Sequence, residues 1–175
     1  RKFSQMHSPR ASFPSYIYSI LKTLNSIIPI TKQDIIHSLE QLELTSKEIS
    51  SSNLNDTNPS LDLANWITGI PIIYYPQGLE TVAIRFKNSL QENAKTHAMS
   101  ENIIESSHNG IVSWERPSNM VPIMIEGKDD HVKTKERWKI LREYFGANNI
   151  NYKEIQTIDG NILSKIMCLI YMLDY

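Results

Sequence analysis

The chain has 175 residues, with 18 Lys and Arg against 19 Asp and Glu, which gives a formal net charge of −1. This length corresponds to one domain, and the balanced charge argues against a partner that is nucleic acid or an anionic membrane. Hydrophobic residues make up 41% of the chain, which excludes a wholly disordered protein. The one cysteine, Cys168, excludes an intrachain disulfide and a multi-cysteine metal site.

Export and membrane insertion are not predicted. Residues 1–10 are polar and lack the apolar stretch of a signal peptide. The most apolar run, residues 166–173, is far shorter than the roughly 20 residues that a spanning helix requires, and it predicts a buried helix. We therefore expect a cytoplasmic protein. Because the chain starts at Arg1 and its last helix stops abruptly at Tyr175, we also expect it to be a fragment of a longer chain.

The N-terminal third is predicted to be helical. Apolar residues spaced by three and four predict a helix over residues 13–24. Thr31 is a candidate N-cap for a second helix that runs to about Ser50, and Asp34 stands in the capping-box position.

A Ser- and Asn-rich loop is predicted over residues 50–59. Ser60 is a candidate N-cap for a short helix over residues 61–68, which Gly69 ends. Since helical periodicity resumes directly after the loop, no domain boundary is predicted there.

The remainder alternates between strands and helices. Strands are predicted at residues 70–75, 121–126 and 150–156. Helices are predicted over residues 79–95 and over residues 161–173. A further helix is predicted between the second and third strands, with Asp129 or Asp130 as its N-cap. Strands separated by helices form βαβ units. The predicted fold is therefore a three-layer α/β structure of the flavodoxin-like or Rossmann-like kind, with a mostly parallel sheet between helices and the three strands adjacent in it.

The usual signatures of nucleotide, metal and nucleophile chemistry are absent from the sequence. It has no Gly-x-Gly-x-x-Gly, no phosphate-binding Gly-x-x-x-x-Gly-Lys, no His-Glu-x-x-His and no Gly-x-Ser-x-Gly. Its five histidines are scattered, and none pairs with another His or a Cys at a metal-ligand spacing. We expect neither a metal nor an organic cofactor.

A set of polar residues remains as the candidate site. The helix predicted over residues 79–95 has an apolar face toward the core. Three polar residues, separated by four and three positions, share another face of this helix: Arg85, Ser89 and Glu92. A predicted loop at 105–110 contains His108, and Arg10 lies just before the first helix. Taken alone, Glu92 also fits a solvated carboxylate, His108 an ordinary loop residue and Arg10 a surface residue at a helix start.

Three tracts together resemble the bifunctional phosphoglucose/phosphomannose isomerases. Residues 85–95 contain Gln-Glu-Asn-Ala-Lys, and residues 105–115 follow at the family's spacing with a His-Asn and a Trp-Glu pair. Residues 8–14, Ser-Pro-Arg-Ala-Ser-Phe-Pro, resemble the start of that family's C-terminal half. These enzymes contain two sugar-isomerase (SIS) domains, each a parallel sheet flanked by helices. The resemblance implies that residues 1–175 form a single C-terminal SIS domain of a two-SIS-domain chain.

The resemblance also implies an activity and a role for each candidate. The activity is aldose–ketose isomerisation, which converts glucose 6-phosphate or mannose 6-phosphate into fructose 6-phosphate through a cis-enediol, within carbohydrate metabolism. By position, Glu92 is the base, His108 assists ring opening and Arg10 stabilises the enediolate. The family's histidine serves the neighbouring subunit's site, which implies a homodimer. A carboxylate, an imidazole and a guanidinium suffice for this chemistry without a cofactor.

Two departures from the family pattern leave an alternative open. Gly110 follows the His-Asn pair where the family usually has Glu. The family's ring-opening Lys and its phosphate-gripping N-terminal domain lie outside the 175 residues, so we expect this chain alone to bind sugar phosphate weakly. The alternative is a non-catalytic SIS module that binds a sugar phosphate for regulation or serves dimerisation. Such a module would drop the base or the histidine, so the presence of Glu92 and His108 favours the isomerase.

Overall fold

The computed structural model describes residues 9–175, with side chains from residue 11 onward. The helices are α1 (Pro9–Thr23), α2 (Lys32–Glu48), α3 (Pro59–Trp66), α4 (Glu80–Ser89), α5 (Ile103–Ser106), α6 (Val132–Ala147) and α7 (Ile162–Asp174). The strands are β1 (Ile70–Tyr75), β2 (Met99–Asn102), β3 (Met120–Glu126) and β4 (Lys153–Gln156). A π-helical turn, Leu90–Ala94, follows α4, and a 3-10 helix, Gly110–Glu115, follows α5. No helix within residues 9–175 is long and apolar enough to cross a membrane.

The four strands form one parallel sheet in the order β2-β1-β3-β4. The predicted parallel adjacency of the strands at 70–75, 121–126 and 150–156 is therefore confirmed. Successive side chains of β1 point to opposite faces, as the period of a strand requires. Ile73 and Tyr75 pack with α4 and α7, whereas Ile72 and Tyr74 pack with α6. Both faces are covered, which gives the predicted three layers.

The structure adds an edge strand that the sequence analysis placed in no element. β2 is four residues long and mostly polar, and Met99 at its start is 54% exposed. An edge strand pairs on one side only, so it needs no continuous apolar run to be stable. The predicted third strand is also shorter than expected, because β4 begins at Lys153 and not at residue 150.

The capping prediction was right at one helix. Thr31 Oγ1 accepts a hydrogen bond from Asp34 N at 3.1 Å, and Asp34 Oδ2 accepts one from Thr31 N at 2.9 Å. The Thr31 hydroxyl also donates to Asp34 Oδ2 at 2.7 Å, and this bond, followed by the one from Thr31 N, holds the pKa of Asp34 below its usual value. The predicted capping box at the start of α2 is therefore confirmed.

Two other N-cap predictions were wrong. Asn58, not Ser60, caps α3, because its side chain accepts from Ser60 N and the following Pro59 suits the first helical position. At α6 the cap is His131, whose Nδ1 accepts from Lys133 N at 3.2 Å, and not Asp129 or Asp130. The carboxylate of Asp130 is engaged elsewhere.

Alanine substitutions at two glycines test the packing, because they should change the free energy of unfolding in opposite directions. A Cβ added at Gly69, just before β1, would lie 2.2 Å from the backbone oxygen of Asn119, whereas one added at Gly146 in α6 would meet no atom within 4 Å. We expect Gly69→Ala to lower the free energy of unfolding by about 1–3 kcal/mol through overpacking. Gly146→Ala should raise it by up to about 1 kcal/mol, because alanine favours a helix. Urea denaturation measures both, and equal effects would contradict the packing at β1.

Candidate active site

A partly buried polar cluster joins α4 to α7. Arg85 Nε and Nη2 donate to Asp174 Oδ2 at 2.8 and 2.5 Å, and Ser89 Oγ donates to Asp174 Oδ1 at 2.7 Å. The side chain of Asp174 is only 11% exposed. Arg85 and Ser89 thus share a face of α4, as their spacing predicted, and both contact the last residue of α7. Charge-assisted bonds in such a setting are stronger than neutral ones.

The first turns of α1 lie against this cluster. The ring of Phe13 stacks under the Arg85 guanidinium, with 4.1 Å between Arg85 Cζ and the ring centroid. A cavity of about 280 Å³ opens beside this contact and is bordered by both residues as well as by Asp174. The backbone of Arg10 is the second residue of α1, and its side chain lies outside the described part of the chain. The helix begins at Pro9, about one turn before its predicted start at residue 13, so the prediction that Arg10 lies before the first helix is wrong.

Glu92 lies where α4 ends in an irregular turn. The helix predicted over residues 79–95 is regular only to Ser89, and a π turn carries Glu92. The turn closes on Lys95, which has a left-handed φ of 56° and whose Nζ donates to the backbone oxygen of Glu92 at 2.6 Å. Glu92 is exposed, three residues beyond the buried Ser89. π turns and left-handed non-glycine residues are concentrated at functional sites.

His108 follows the carboxyl end of β2, whereas Glu92 precedes the amino end of this strand. His108 is exposed and follows α5, whose N-cap Asn102 accepts a hydrogen bond from Ile104 N at 2.9 Å. His108 N donates to the backbone oxygen of Glu105 at 3.0 Å. The imidazole borders a groove between α5 and α6 that also contains Arg137. The predicted loop at residues 105–110 is thus partly helical.

The structure does not bring Glu92 and His108 together within one chain. Glu92 comes before β2 and His108 comes after it, so they flank opposite ends of the same strand. Parallel strands rise about 3.3 Å per residue, so the four residues of β2 alone separate the two ends by roughly 10 Å. Glu92 shares the amino edge of the sheet with the end of α7, whereas His108 lies at the carboxyl edge.

A carboxylate that the sequence analysis did not single out lies against Gly110. A Cβ at Gly110 would lie 2.5 Å from Oε2 of Glu101, a β2 residue paired in register with Tyr74. Burial, followed by the neighbouring charge of Glu105, raises the pKa of Glu101. Local sequence carries no signal for this contact, because residues of two different elements form it.

Trp114 fastens the segment after His108 to the sheet. Its Nε1 donates to Tyr74 Oη at 2.9 Å, and its ring meets Phe145 edge-on at 5.3 Å between centroids. Burial raises the pKa of Tyr74 to about 12, so this phenol stays neutral and serves as an acceptor at physiological pH. The 3-10 helix Gly110–Glu115 is therefore fixed at its far end.

The comparisons with known proteins identify the family. Residues 56–175, more than half of the chain, match the family model described as the bacterial phospho-glucose isomerase C-terminal SIS domain. The chain belongs to this family. The resemblance inferred from residues 85–95 and 105–115 is thus confirmed.

Two named relatives are consistent with membership of this family. A bifunctional phosphoglucose/phosphomannose isomerase of Caldicellulosiruptor bescii is 30% identical over 111 residues, which cover 61% of this chain and 33% of the relative. The enzyme of the same name from Aquifex aeolicus is 28% identical over 152 residues, which cover 82% of this chain and 42% of the relative. The chain thus spans less than half the length of both relatives.

The fold has a solved counterpart. A glucose-6-phosphate isomerase like protein from Thermus thermophilus superposes with a TM-score of 0.64 at 15% identity, over 82% of this chain and 50% of that one. At this level of identity the match establishes the fold, and it agrees with the parallel sheet and flanking helices of the SIS domain.

The raised pKa of Glu101 predicts that the stability of the chain depends on pH. Since its pKa is raised on folding, the Glu101 carboxylate opposes folding when ionised, and this penalty vanishes as the pH falls below the unfolded-state pKa of about 4.3. We expect Glu101→Gln to raise the free energy of unfolding at pH 7 and to lose that gain near pH 4. The matched control is Glu115→Gln at an exposed position, which should change stability little at either pH. Denaturation at the two pH values tests this, and a gain that persists at pH 4 would contradict it.

Proposed function

We propose that this SIS domain is the C-terminal half of an aldose–ketose isomerase that interconverts glucose 6-phosphate or mannose 6-phosphate with fructose 6-phosphate. The observation that carries the proposal is the exposed Glu92 in a π turn, directly after the buried anchor of α4, in a chain of this isomerase family. Its position near the amino edge of the sheet leaves the carboxylate accessible to a substrate held against that edge.

Glu92 is the proton-transfer group in this mechanism. Isomerisation removes a proton from one of the sugar carbons C1 and C2 and returns it to the other through an enediol. A carboxylate held on one side of the sugar can do both steps. The regular hydrogen bonds of α4 position Ser89, and the π turn then projects Glu92 from this fixed end.

The cation that stabilises the enediolate is assigned to Arg10 and not to Arg85. Arg85 borders the cavity at the start of α1, but its guanidinium donates twice to Asp174, so its charge is already compensated. Arg10 lies one turn before Phe13, which stacks on Arg85. A preorganised guanidinium stabilises negative charge as it develops on the enediolate oxygen.

His108 is proposed to act in the site of a second subunit. A histidine at the carboxyl edge of β2 cannot reach a sugar bound beside Glu92 at the amino edge of the same domain. An exposed imidazole can instead enter a neighbour's site across a two-fold interface, where it would assist ring opening. The proposed assembly is therefore a homodimer.

The remaining parts of the enzyme are assigned to the portion of the relatives that this chain does not span. An N-terminal SIS domain would grip the phosphate, and a C-terminal lysine would assist ring opening. The 175 residues are accordingly proposed to be a single C-terminal SIS domain with weak activity of its own.

A non-catalytic sugar-phosphate-binding or dimerisation module is the second candidate. The observation that favours it is Gly110, which replaces the family's usual Glu beside His108. The Glu101 carboxylate weakens this argument, because β2 thereby supplies an acidic group beside Gly110.

Replacing the proposed base tests the isomerase directly. In the full-length protein, Glu92→Gln keeps the side-chain volume but removes the proton acceptor. Turnover should fall by roughly 10²–10⁴-fold for glucose and mannose substrates alike, since both pass through the same enediol. Stability should change by no more than about 0.5 kcal/mol, because the position is exposed. Glu80→Gln, at the exposed start of α4, is the matched control and should keep full turnover. Solvent exchange of the C2 proton at the wild-type rate in Glu92→Gln would assign the base to another residue.

Mixing two inactive variants tests the shared site. If His108 serves the neighbour, a hybrid dimer of one Glu92→Gln subunit and one His108→Ala subunit has one site with both native residues. Random exchange of subunits should then restore about a quarter of wild-type activity on the closed-ring substrate. Neither variant alone should approach this value. No recovery in a sample shown to contain hybrid dimers would place His108 in its own subunit's site or outside catalysis.

A further inference from the structure

A reactive dipeptide directly follows His108. Asn109 is followed by Gly110, and no other asparagine in the 175 residues precedes a glycine. In such a pair the peptide nitrogen of glycine can attack the side-chain amide carbon of asparagine, because glycine has no side chain to block the approach. A folded protein permits this reaction where the asparagine side chain is exposed, is not held by a cap, and is joined to a backbone that can rotate.

The side chain of Asn109 meets the first two conditions. It is exposed, and although it stands at the N-cap position of the 3-10 helix Gly110–Glu115, it makes no capping hydrogen bond. The nearby Asn102 differs, because its side-chain oxygen accepts from Ile104 N at 2.9 Å and caps α5. That bond holds the amide of Asn102 in place, whereas the amide carbon of Asn109 stays open to attack.

The backbone at Asn109 meets the third condition. The residue lies between the end of α5 at Ser106 and the 3-10 helix, and its φ of −109° is far from the helical value of about −63°. Ring closure requires rotation about ψ, which is −44° in the structure, to bring Gly110 N against the side-chain carbon. Gly110 begins the 3-10 helix, and the first N–H groups of a helix have no partner within it. The attacking nitrogen is therefore not held by the helix that it begins.

We propose that the Asn109–Gly110 pair is a site of spontaneous deamidation, a covalent modification whose only co-reactant is water. Gly110 N loses its proton and bonds to Cγ of Asn109, the bond from Cγ to Nδ2 breaks, and Nδ2 leaves as ammonia. The product is a five-membered succinimide ring. Water then opens the ring at Cγ to give aspartate, or at the backbone carbonyl carbon to give isoaspartate. The net change replaces one amide by one carboxylate.

The modification alters the segment that carries His108. Both products add a negative charge directly after His108, where the carboxylate of Glu101 already lies against Gly110. Isoaspartate also adds a methylene to the main chain between His108 and the 3-10 helix that Trp114 fixes to the sheet. An effect of these changes on catalysis rests on the proposed function of His108, whereas the modification itself does not.

Timed incubation of the 175-residue chain in mildly alkaline buffer tests the modification. Mass spectrometry of the tryptic peptide of residues 96–128 should show aspartate and isoaspartate accumulating at Asn109. Asn102 in the same peptide is the internal control, and it should be modified at least about tenfold more slowly, because its cap bond keeps the reacting atoms apart. Equal rates at the two positions would overturn the proposal.

A synthetic peptide of residues 105–113 supplies the rate without the fold. Because Asn109 is exposed and its side chain caps no helix, the folded chain should be modified within about tenfold of the peptide's rate. A slower reaction would show that the fold protects the pair, and it would overturn the proposal.

Matched variants identify the reacting residue. Asn109→Gln keeps an amide but lengthens the side chain by one methylene, so closure would need a less favourable six-membered ring. Isoelectric focusing should show that this variant loses the acidic species that wild type forms. Asn88→Gln makes the same change at an exposed position inside α4 and should leave that species unaltered. Acidic species that form at the wild-type rate in Asn109→Gln would overturn the assignment.

Activity of the full-length protein tests the link to His108. Turnover of glucose 6-phosphate should fall in proportion to the fraction of Asn109 modified, and Asn109→Gln should keep its own starting activity over the same time. Modification without loss of turnover would overturn the effect on His108, while the mass measurement judges the site itself. Failure of the isomerase proposal shows separately, as full turnover in Glu92→Gln.

Discussion

Parallel pairing between β1 and β2 requires the chain to return across the full height of the sheet before the second strand can begin. α4 makes this return, and the π turn at its end is therefore delivered to the amino edge. The strand then carries the chain back, and His108 emerges at the carboxyl edge. Topology alone thus separates a carboxylate from an imidazole that lie only 16 residues apart in the sequence. This separation is the reason for proposing that a site with both residues draws them from two copies of the chain.

Asp174 fixes the geometry of the amino edge. It is the last residue of α7, and it accepts from both Arg85 and Ser89 on α4. Burying a guanidinium and a carboxylate is costly unless both are paired and hydrogen-bonded, and here the hydroxyl of Ser89 completes the set. The cluster holds the regular part of α4 in place, so the irregular turn with Glu92 starts from a rigid point. The positive charge of Arg85 therefore stabilises the contact between α4 and α7.

The sequence predicted the parts of the fold that burial controls. β1 and β3 were found because strands covered on both faces are apolar throughout, and Glu92 and His108 were located by tracts with a family's spacing. The edge strand β2 lacks that pattern. The N-cap predictions were wrong where several neighbouring polar residues could cap the same helix, as at Asn58. The turn after Ser89 was missed because a single π turn scarcely changes helical periodicity. The contact of Glu101 with Gly110 depends on tertiary structure and has no local signature.

Gly110 acquires a different meaning once Glu101 is placed beside it. The departure from the family pattern removes a carboxylate from the segment after His108, yet the glycine leaves room for a carboxylate from β2. Because β2 is hydrogen-bonded to β1, this group is held by the sheet and not by the connecting segment. Its partial burial also raises its pKa. The acidic group beside Gly110 is thus supplied by β2, and its partial burial links its protonation to folding.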